Sequence, residues 1–110
     1  MSKRPLEGLR VADFSWFGAG PIAANTLCHF GAEVVRIESE TKVDGIRMVH
    51  PFAMNPDGTF KSGYNVSGYF NNYNAGKLSM SLNLNTEKGQ EIGYRIIEKS
   101  DFFLTNFTPR

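Results

Sequence analysis

The residues Gly18-Ala19-Gly20-Pro21-Ile22-Ala23 space two glycines and an alanine as G-x-G-x-x-A. Where such a turn follows a strand and opens a helix, backbone N–H groups converge on an anion and the glycines admit a phosphate. Glu38 stands twenty residues beyond Gly18. That is the spacing at which a dinucleotide site places its acceptor for a ribose hydroxyl. Pro21 has no N–H, so one donor at the helix start is missing. Chain geometry alone would also account for glycines in a tight turn.

A second set of candidates is basic: Arg36, Lys42, Arg47, Lys61 and Lys77. Each is able to meet a phosphate as a charge-assisted donor, and each taken singly also fits a solvated surface charge. Lys77, in a Gly-Lys turn leading into a strand, is the best placed. A third candidate is Asn106-Phe107, an amide beside an aromatic ring at the end of the last apolar run. Asn could read an amide or adenine edge there and Phe could stack; the alternative is an Asn in a turn with Phe in the core. Nucleophilic chemistry has little to work with. His29 and His50 are the two histidines, and Cys28 precedes His29. Neighbouring helical residues point about 100° apart, so Cys28 reads as a small core residue rather than half of a dyad. No metal-ligand spacing and no Ser/His/Asp arrangement is visible. Asp13, inside a strand, reads as a turn or cap acceptor.

These residues need elements to hold them. Leu9 to Ser15 is apolar and β-branched enough for a strand. Pro21 is placed to open a helix over residues 22–30, with Ile22, Ala23, Thr26, Leu27 and Phe30 along one face. Gly31 stops it, and Glu33 to Glu38 forms a second strand. Strand, helix, Gly and strand make a βαβ unit with parallel strands. Residues 40–70 show no sustained period and carry turns at Asp44-Gly45 and Pro56-Asp57-Gly58. A short helix or turn fits residues 69–76. Leu78 to Leu84 alternates as a half-buried strand. Thr86 caps a helix over about 87–100, in which Gly89 and Gly93 permit close packing. Asp101 to Phe107 is the fourth strand.

The chain has 110 residues, enough for one domain. A net charge of +1, with no run of like charges, gives no field toward nucleic acid or a membrane surface. One cysteine permits no internal disulfide, which fits a reducing compartment. Lys3 and Arg4 are not followed by the apolar stretch of a secretory signal, and no run approaches the ~18–20 apolar residues of a membrane span. A cytoplasmic location is expected. The chain stops at Pro109-Arg110, directly after a strand-like run, where a complete domain more often adds a capping helix. Truncation is expected on that ground.

Read in order, the segments resemble the start of a family III CoA-transferase of the CaiB/BaiF type. The matching stretches are Pro5 to Phe14, Gly18 to Pro21, and Phe30 to Glu38. They continue with Asp44 to Arg47, Tyr69-Phe70 to Asn74, Lys77 to Ser79, Leu82 to Leu84, Gly89, Asp101 and Asn106 to Pro109. The resemblance covers nearly the whole chain. It implies an α/β fold with a Rossmann-like parallel sheet and flanking helices, residues 1–110 being the N-terminal part of the large, CoA-binding domain. It implies transfer of CoA between an acyl-CoA and a carboxylic acid through an aspartyl intermediate, with no permanently bound cofactor. It further implies an interlocked homodimer, or a heteromer, in the full-length protein. The catalytic aspartate would lie downstream of residue 110, so no catalytic residue is assigned and the isolated chain is expected to be inactive.

What carries over from the resemblance is contact with CoA. The positions after the first strand fall on Phe17, Gly18 and Ala19. Those near adenine and phosphates fall on Ser39, Leu82, Asn85, Asn106 and Phe107. Family members can carry basic residues where Ser39 and Asn85 stand, which would shift phosphate contact to Lys42, Arg47 or Lys77. Three other readings stay open: an α-methylacyl-CoA racemase sharing this N-terminal pattern, a non-catalytic binding piece, and a dinucleotide-binding protein that depends on Glu38.

Overall fold

The computed structural model describes residues 2–109. Four strands form one fully parallel sheet: β1 (Arg10–Asp13), β2 (Glu33–Glu38), β3 (Leu78–Ser81) and β4 (Phe102–Leu104). Their order is β3-β2-β1-β4. The chain therefore steps outward through β1, β2 and β3, then crosses back to the other side of β1. That reversal makes a switch point between β1 and β4, the place where doubly wound sheets form their ligand crevices.

Helix α1 (Ala19–His29) connects β1 to β2, and helix α3 (Glu87–Glu98) connects β3 to β4. Val11 and Val34 of the sheet pack with Ala24 and Ala32, and Leu27, Cys28 and Leu104 close around them. On the opposite face Phe14 and Phe103 meet edge to face, with ring centroids 5.4 Å apart, beside Gly93 and Ile97 of α3. The sheet is thus layered between one helix on each side.

Local chemistry explains the ends of these helices. Gly31 takes φ +110° after α1, and Ala32 N–H returns to Leu27 C=O at 3.1 Å. Thr86 Oγ1 accepts from Gly89 N–H at 3.0 Å and caps α3. Helix α1 begins at Ala19 rather than at Pro21. Pro21 still falls within the first turn, where the missing N–H has no intrahelical partner to lose.

Two expectations about faces are corrected. The buried face of α1 is Gly20, Pro21, Ala24 and Asn25, while Ile22 and Phe30 are 45% and 53% exposed. Small residues face the sheet because they let the helix approach closely, and the Asn25 amide donates to Ala75 C=O at 2.8 Å. Strand β3 is exposed along its whole length, not half-buried. It is the edge strand, and no described helix lies over it closely enough to cover Leu78 or Met80.

The excursion between β2 and β3 is ordered by short elements. Asp44 caps a 3-10 turn, Gly45–Met48, accepting from Ile46 N–H at 3.0 Å. Ser67 caps α2 (Gly68–Tyr73) and donates its hydroxyl to Ile46 and Val49 carbonyls at 2.9 and 2.8 Å. Among the described residues, no helix is long and apolar enough to cross a membrane.

Candidate functional site

The carboxyl ends of all four strands meet at a pocket of about 170 Å³. Trp16, after β1, and Phe107, after β4, form one side, with ring centroids 5.3 Å apart in an edge contact. Ser39 and Lys42, after β2, form another, and Leu82 and Asn85, after β3, complete it. Aromatic and aliphatic surface with a few polar groups suits a flat ring and its polar substituents.

Asn106 fixes this rim from behind. Its Oδ1 accepts Trp16 N–H at 3.0 Å and its Nδ2 donates to Trp16 C=O at 2.8 Å. Both halves of the amide are thereby spent on one backbone unit. A Cβ on Gly20 would collide with Ser15 Cβ and come within 3.2 Å of the Asn106 side chain, so glycine there lets the first turn of α1 seat against the loop after β1. The glycine turn and the Asn106-Phe107 pair share one rim.

The loop after β1 is set by a buried ionic cluster. Arg36 is 2% exposed and Asp44 is fully buried. Arg36 donates to Asp44 Oδ2 at 2.6 Å and to Ser15 C=O at 2.9 Å. Asp44 also accepts the Phe17 N–H, at 3.1 Å to Oδ1. Phe17 has φ +63°, a left-handed conformation unusual for a bulky residue. Its ring lies over Gly45, where a Cβ would approach ring carbons to 2.8 and 2.9 Å.

Glu38 joins the same cluster. Its Oε1 accepts from Arg47 at 2.6 Å, and its Oε2 accepts from Arg47 Nε at 2.9 Å and from Asp44 N–H at 2.6 Å. Burial raises the pKa of this carboxyl. The Arg47 and Asp44 hydrogen bonds, with the charges of Arg47 and Arg36, outweigh that and hold it below its ordinary 4.5. The Phe70 ring lies 3.4 Å from the Arg47 guanidinium and 5.2 Å from that of Arg36. Two arginines and two carboxylates thus neutralise one another under an aromatic lid. Both Glu38 oxygens are committed, so the expected role as a ribose acceptor in a dinucleotide site is not met.

A second buried pair stands below the glycine turn. Lys77 Nζ reaches Asp13 at 2.8 Å, Asn74 Oδ1 at 2.9 Å and Pro21 C=O at 3.0 Å. Its side chain is 1% exposed. Burial pulls the ammonium below its ordinary 10.5, and the Asp13 bond and charge oppose that shift. Asp13 also accepts from Ser15 N–H at 3.0 Å and from the Ser15 hydroxyl.

The ten residues singled out for ligand contact therefore divide. Ser39, Leu82, Asn85 and Phe107 line one pocket. Asn106 braces it. Phe17, Gly18 and Ala19 run along the loop and first turn of α1, outside that lining. Arg47 and Lys77 are tied up in internal ion pairs. Trp16 and Thr41 are lining residues that the sequence did not single out. Trp16, one residue before the Phe17 that was chosen, was within reach of the same argument. Among the described residues no group of three or more metal-ligating side chains forms.

A parallel sheet wound in two directions, with a groove at its switch point, defines an α/β protein of the Rossmann-like class. Within that class the chain belongs to CoA-transferase family III, whose description matches residues 6–110. It is 33% identical over 106 residues to a formyl-CoA:oxalate CoA-transferase of Escherichia coli, covering 96% of this chain and 23% of that protein. It is 36% identical over 103 residues to an (R)-2-hydroxy-4-methylpentanoate CoA-transferase of Clostridioides difficile, covering 92% and 24%. A CaiB/BaiF family protein from Brucella suis superposes with a TM-score of 0.80 at 32% identity, over 96% of this chain and 26% of that one. A hypothetical protein from Mycobacterium tuberculosis gives 0.72 at 30% identity, over 91% and 24%. The chain spans about a quarter of the length of the relatives it matches.

Proposed function

We propose that this chain supplies the nucleotide-end berth of a CoA-transferase acting in the cytoplasm, as the N-terminal part of its large domain. The full-length protein would move CoA between an acyl-CoA and a carboxylic acid. The observation that carries this reading is the pocket at the four strand ends, with Trp16 and Phe107 on one side and Ser39, Lys42 and Asn85 around it. An adenine ring fits the aromatic side, and the polar side suits ribose and phosphate. Backbone N–H groups at the start of α1 would face the pyrophosphate. Similarity to two CoA-transferases over nearly the whole chain supports the same substrate class.

The chemical step would fall to an aspartate outside these residues. Its carboxylate attacks the thioester carbonyl, expelling CoA thiolate and leaving a mixed anhydride. The thiolate then attacks the aspartyl carbonyl, which releases the donor acid and forms an aspartyl-CoA thioester. The acceptor carboxylate repeats the sequence in reverse, regenerating the aspartate. Each hard acyl transfer is thereby split into easier ones. The contribution of the present residues is to hold the nucleotide so that the thioester arrives in position. The mature enzyme would be an interlocked dimer.

Steady-state kinetics of the full-length protein test this. Acyl-CoA consumption is followed chromatographically with formyl-CoA or a 2-hydroxyacyl-CoA as donor, with and without an acceptor acid. Phe107→Ala should raise the KM for acyl-CoA by about tenfold, in line with the loss of one base-stacking partner, and change kcat much less. An unchanged KM would remove the pocket from the nucleotide site. Conversion of the acyl-CoA without any acceptor would point to a racemase instead.

A further inference from the structure

Lys77 is buried where an apolar side chain would cost less. Its side chain is 1% exposed, and taking an ammonium out of water is expensive unless its partners are well placed. The partners come from three elements. Asp13 is the last residue of β1, Pro21 lies in the first turn of α1, and Asn74 ends α2. Their oxygens stand 2.8, 3.0 and 2.9 Å from Nζ. An ammonium has three N–H groups, so all three are spent inside the protein and none is left for a phosphate. The loop carrying Lys77 meets α1 at two further points. Asn25 Nδ2 donates to Ala75 C=O at 2.8 Å, and a Cβ on Gly76, which has φ +79°, would stand 3.2 Å from Cys28 Sγ.

Asp13 carries the effect onward. Its Oδ2 takes Lys77, and its Oδ1 takes Ser15 N–H at 3.0 Å. The N–H groups of Trp16 and Phe17 go to Asn106 and Asp44. Three consecutive N–H groups of the loop after β1 are thus committed, and the next ones belong to the start of α1. No side chain among the described residues caps that helix, so its first N–H groups are open to an anion. Where they point depends on how the first turn is held, and Lys77 holds it at Pro21.

Resting on the CoA reading above, we propose that Lys77 is a positioning residue for acyl-CoA: by tying the first turn of α1 to the end of β1, its ammonium sets the direction of the N–H groups that meet the pyrophosphate. It touches no substrate. A guanidinium would not replace it, because three acceptors converging on one point suit a compact ammonium and not a planar fork.

The test is steady-state kinetics of the full-length protein, with acyl-CoA and the acceptor acid varied in turn, for the parent, Lys77→Met, Lys77→Arg and Asn74→Ala. Both Lys77 variants should raise the KM for acyl-CoA by about tenfold, as a displaced hydrogen bond to a charged group implies. Asn74→Ala, which removes one acceptor of three, should raise it by about threefold. In each, kcat and the KM for the acid should stay within about twofold of the parent, the pattern of a contact made equally in ground and transition states. A side chain that only supported the fold would lower kcat through loss of folded enzyme and leave the KM for acyl-CoA unmoved. That result overturns the proposal, as does a Lys77→Arg enzyme that matches the parent. Should neither Lys77 variant fold, Asn74→Ala decides, and an unchanged KM there overturns the proposal while leaving CoA as the ligand. A parent that turns over no acyl-CoA overturns the functional reading beneath it.

Discussion

Replacing Asp44 by alanine should be among the most damaging single changes in the chain. Asp44 is fully buried and Arg36 is 2% exposed. The substitution leaves the Arg36 guanidinium buried beside nothing negative at hydrogen-bond distance, since Glu38 Oε1 is 4.0 Å away. It also strips the acceptor from Phe17 N–H and Ile46 N–H. Breaking a buried ion pair from one side costs about 3–5 kcal/mol, a large share of the roughly 5–15 kcal/mol that holds a domain together. With a urea dependence of about 1–3 kcal/mol per molar, the unfolding midpoint should fall by at least about 1 M. Trp16, the sole tryptophan of the chain, provides the signal. Asp57→Ala, in an exposed turn where the carboxylate serves only Thr59, should leave the midpoint close to the parent. The double variant Arg36→Met, Asp44→Leu should recover part of the loss, because no charge then stays buried alone, while Phe17 N–H and Ile46 N–H still lack their acceptor. An Asp44→Ala unfolding free energy within about 1 kcal/mol of the parent would refute the claim that this pair organises the loop after β1.

The remaining expectations concern Glu38 and two glycines. The folded chain keeps Glu38 ionised to lower pH than the unfolded chain does, because its pKa is held below 4.5. Its contribution is therefore complete above the ordinary carboxylate value and is lost as pH falls through the lower, folded one. Urea midpoints measured between pH 3 and 6 should rise with pH more steeply in the parent than in Glu38→Gln; equal slopes would contradict the ion-pair assignment. Gly89→Ala would drive a methyl into the Asn83 carbonyl, which is backbone, and should cost about 1–3 kcal/mol in thermal or urea unfolding. Gly45→Ala meets the far edge of the half-exposed Phe17 ring instead. That ring can swing aside, so stability should change by less than about 1 kcal/mol, and a changed environment for Phe17 should be visible by NMR.

Much of the fold could be read from local chemistry. The glycine turn, Gly31 and the Thr86 cap each act within a few residues, and they placed the βαβ unit and α3 where they are found. The Asp44-Gly45 turn was legible for the same reason, since Asp44 caps its own segment. What escaped was decided by partners far along the chain. Lys77 was favoured as a free cation, yet it is claimed by Asp13 from 64 positions away. Arg47 is claimed by Glu38, and no spacing rule foretells which acid a buried guanidinium will choose. The face of α1 was misjudged because apolarity pointed to Ile22 and Phe30, whereas close approach to the sheet selected Gly20 and Ala24. For the rim, Ser39, Leu82, Asn85 and Phe107, which the family resemblance and not their residue types singled out together, share one lining, but the brace from Asn106 to Trp16 required coordinates.

That brace has a consequence for biosynthesis. Trp16 and Asn106 are 90 positions apart, and at roughly 5–20 residues per second a ribosome needs on the order of 5–18 s to pass from one to the other. Until the fourth strand has emerged and docked, Arg36 and Asp44 can already hold Ser15 and Phe17, but Trp16 lacks its brace. A nascent chain therefore passes through a stage at which β1, α1 and β2 are already made while the Phe107 side of the cleft is still missing, so the rim is completed late.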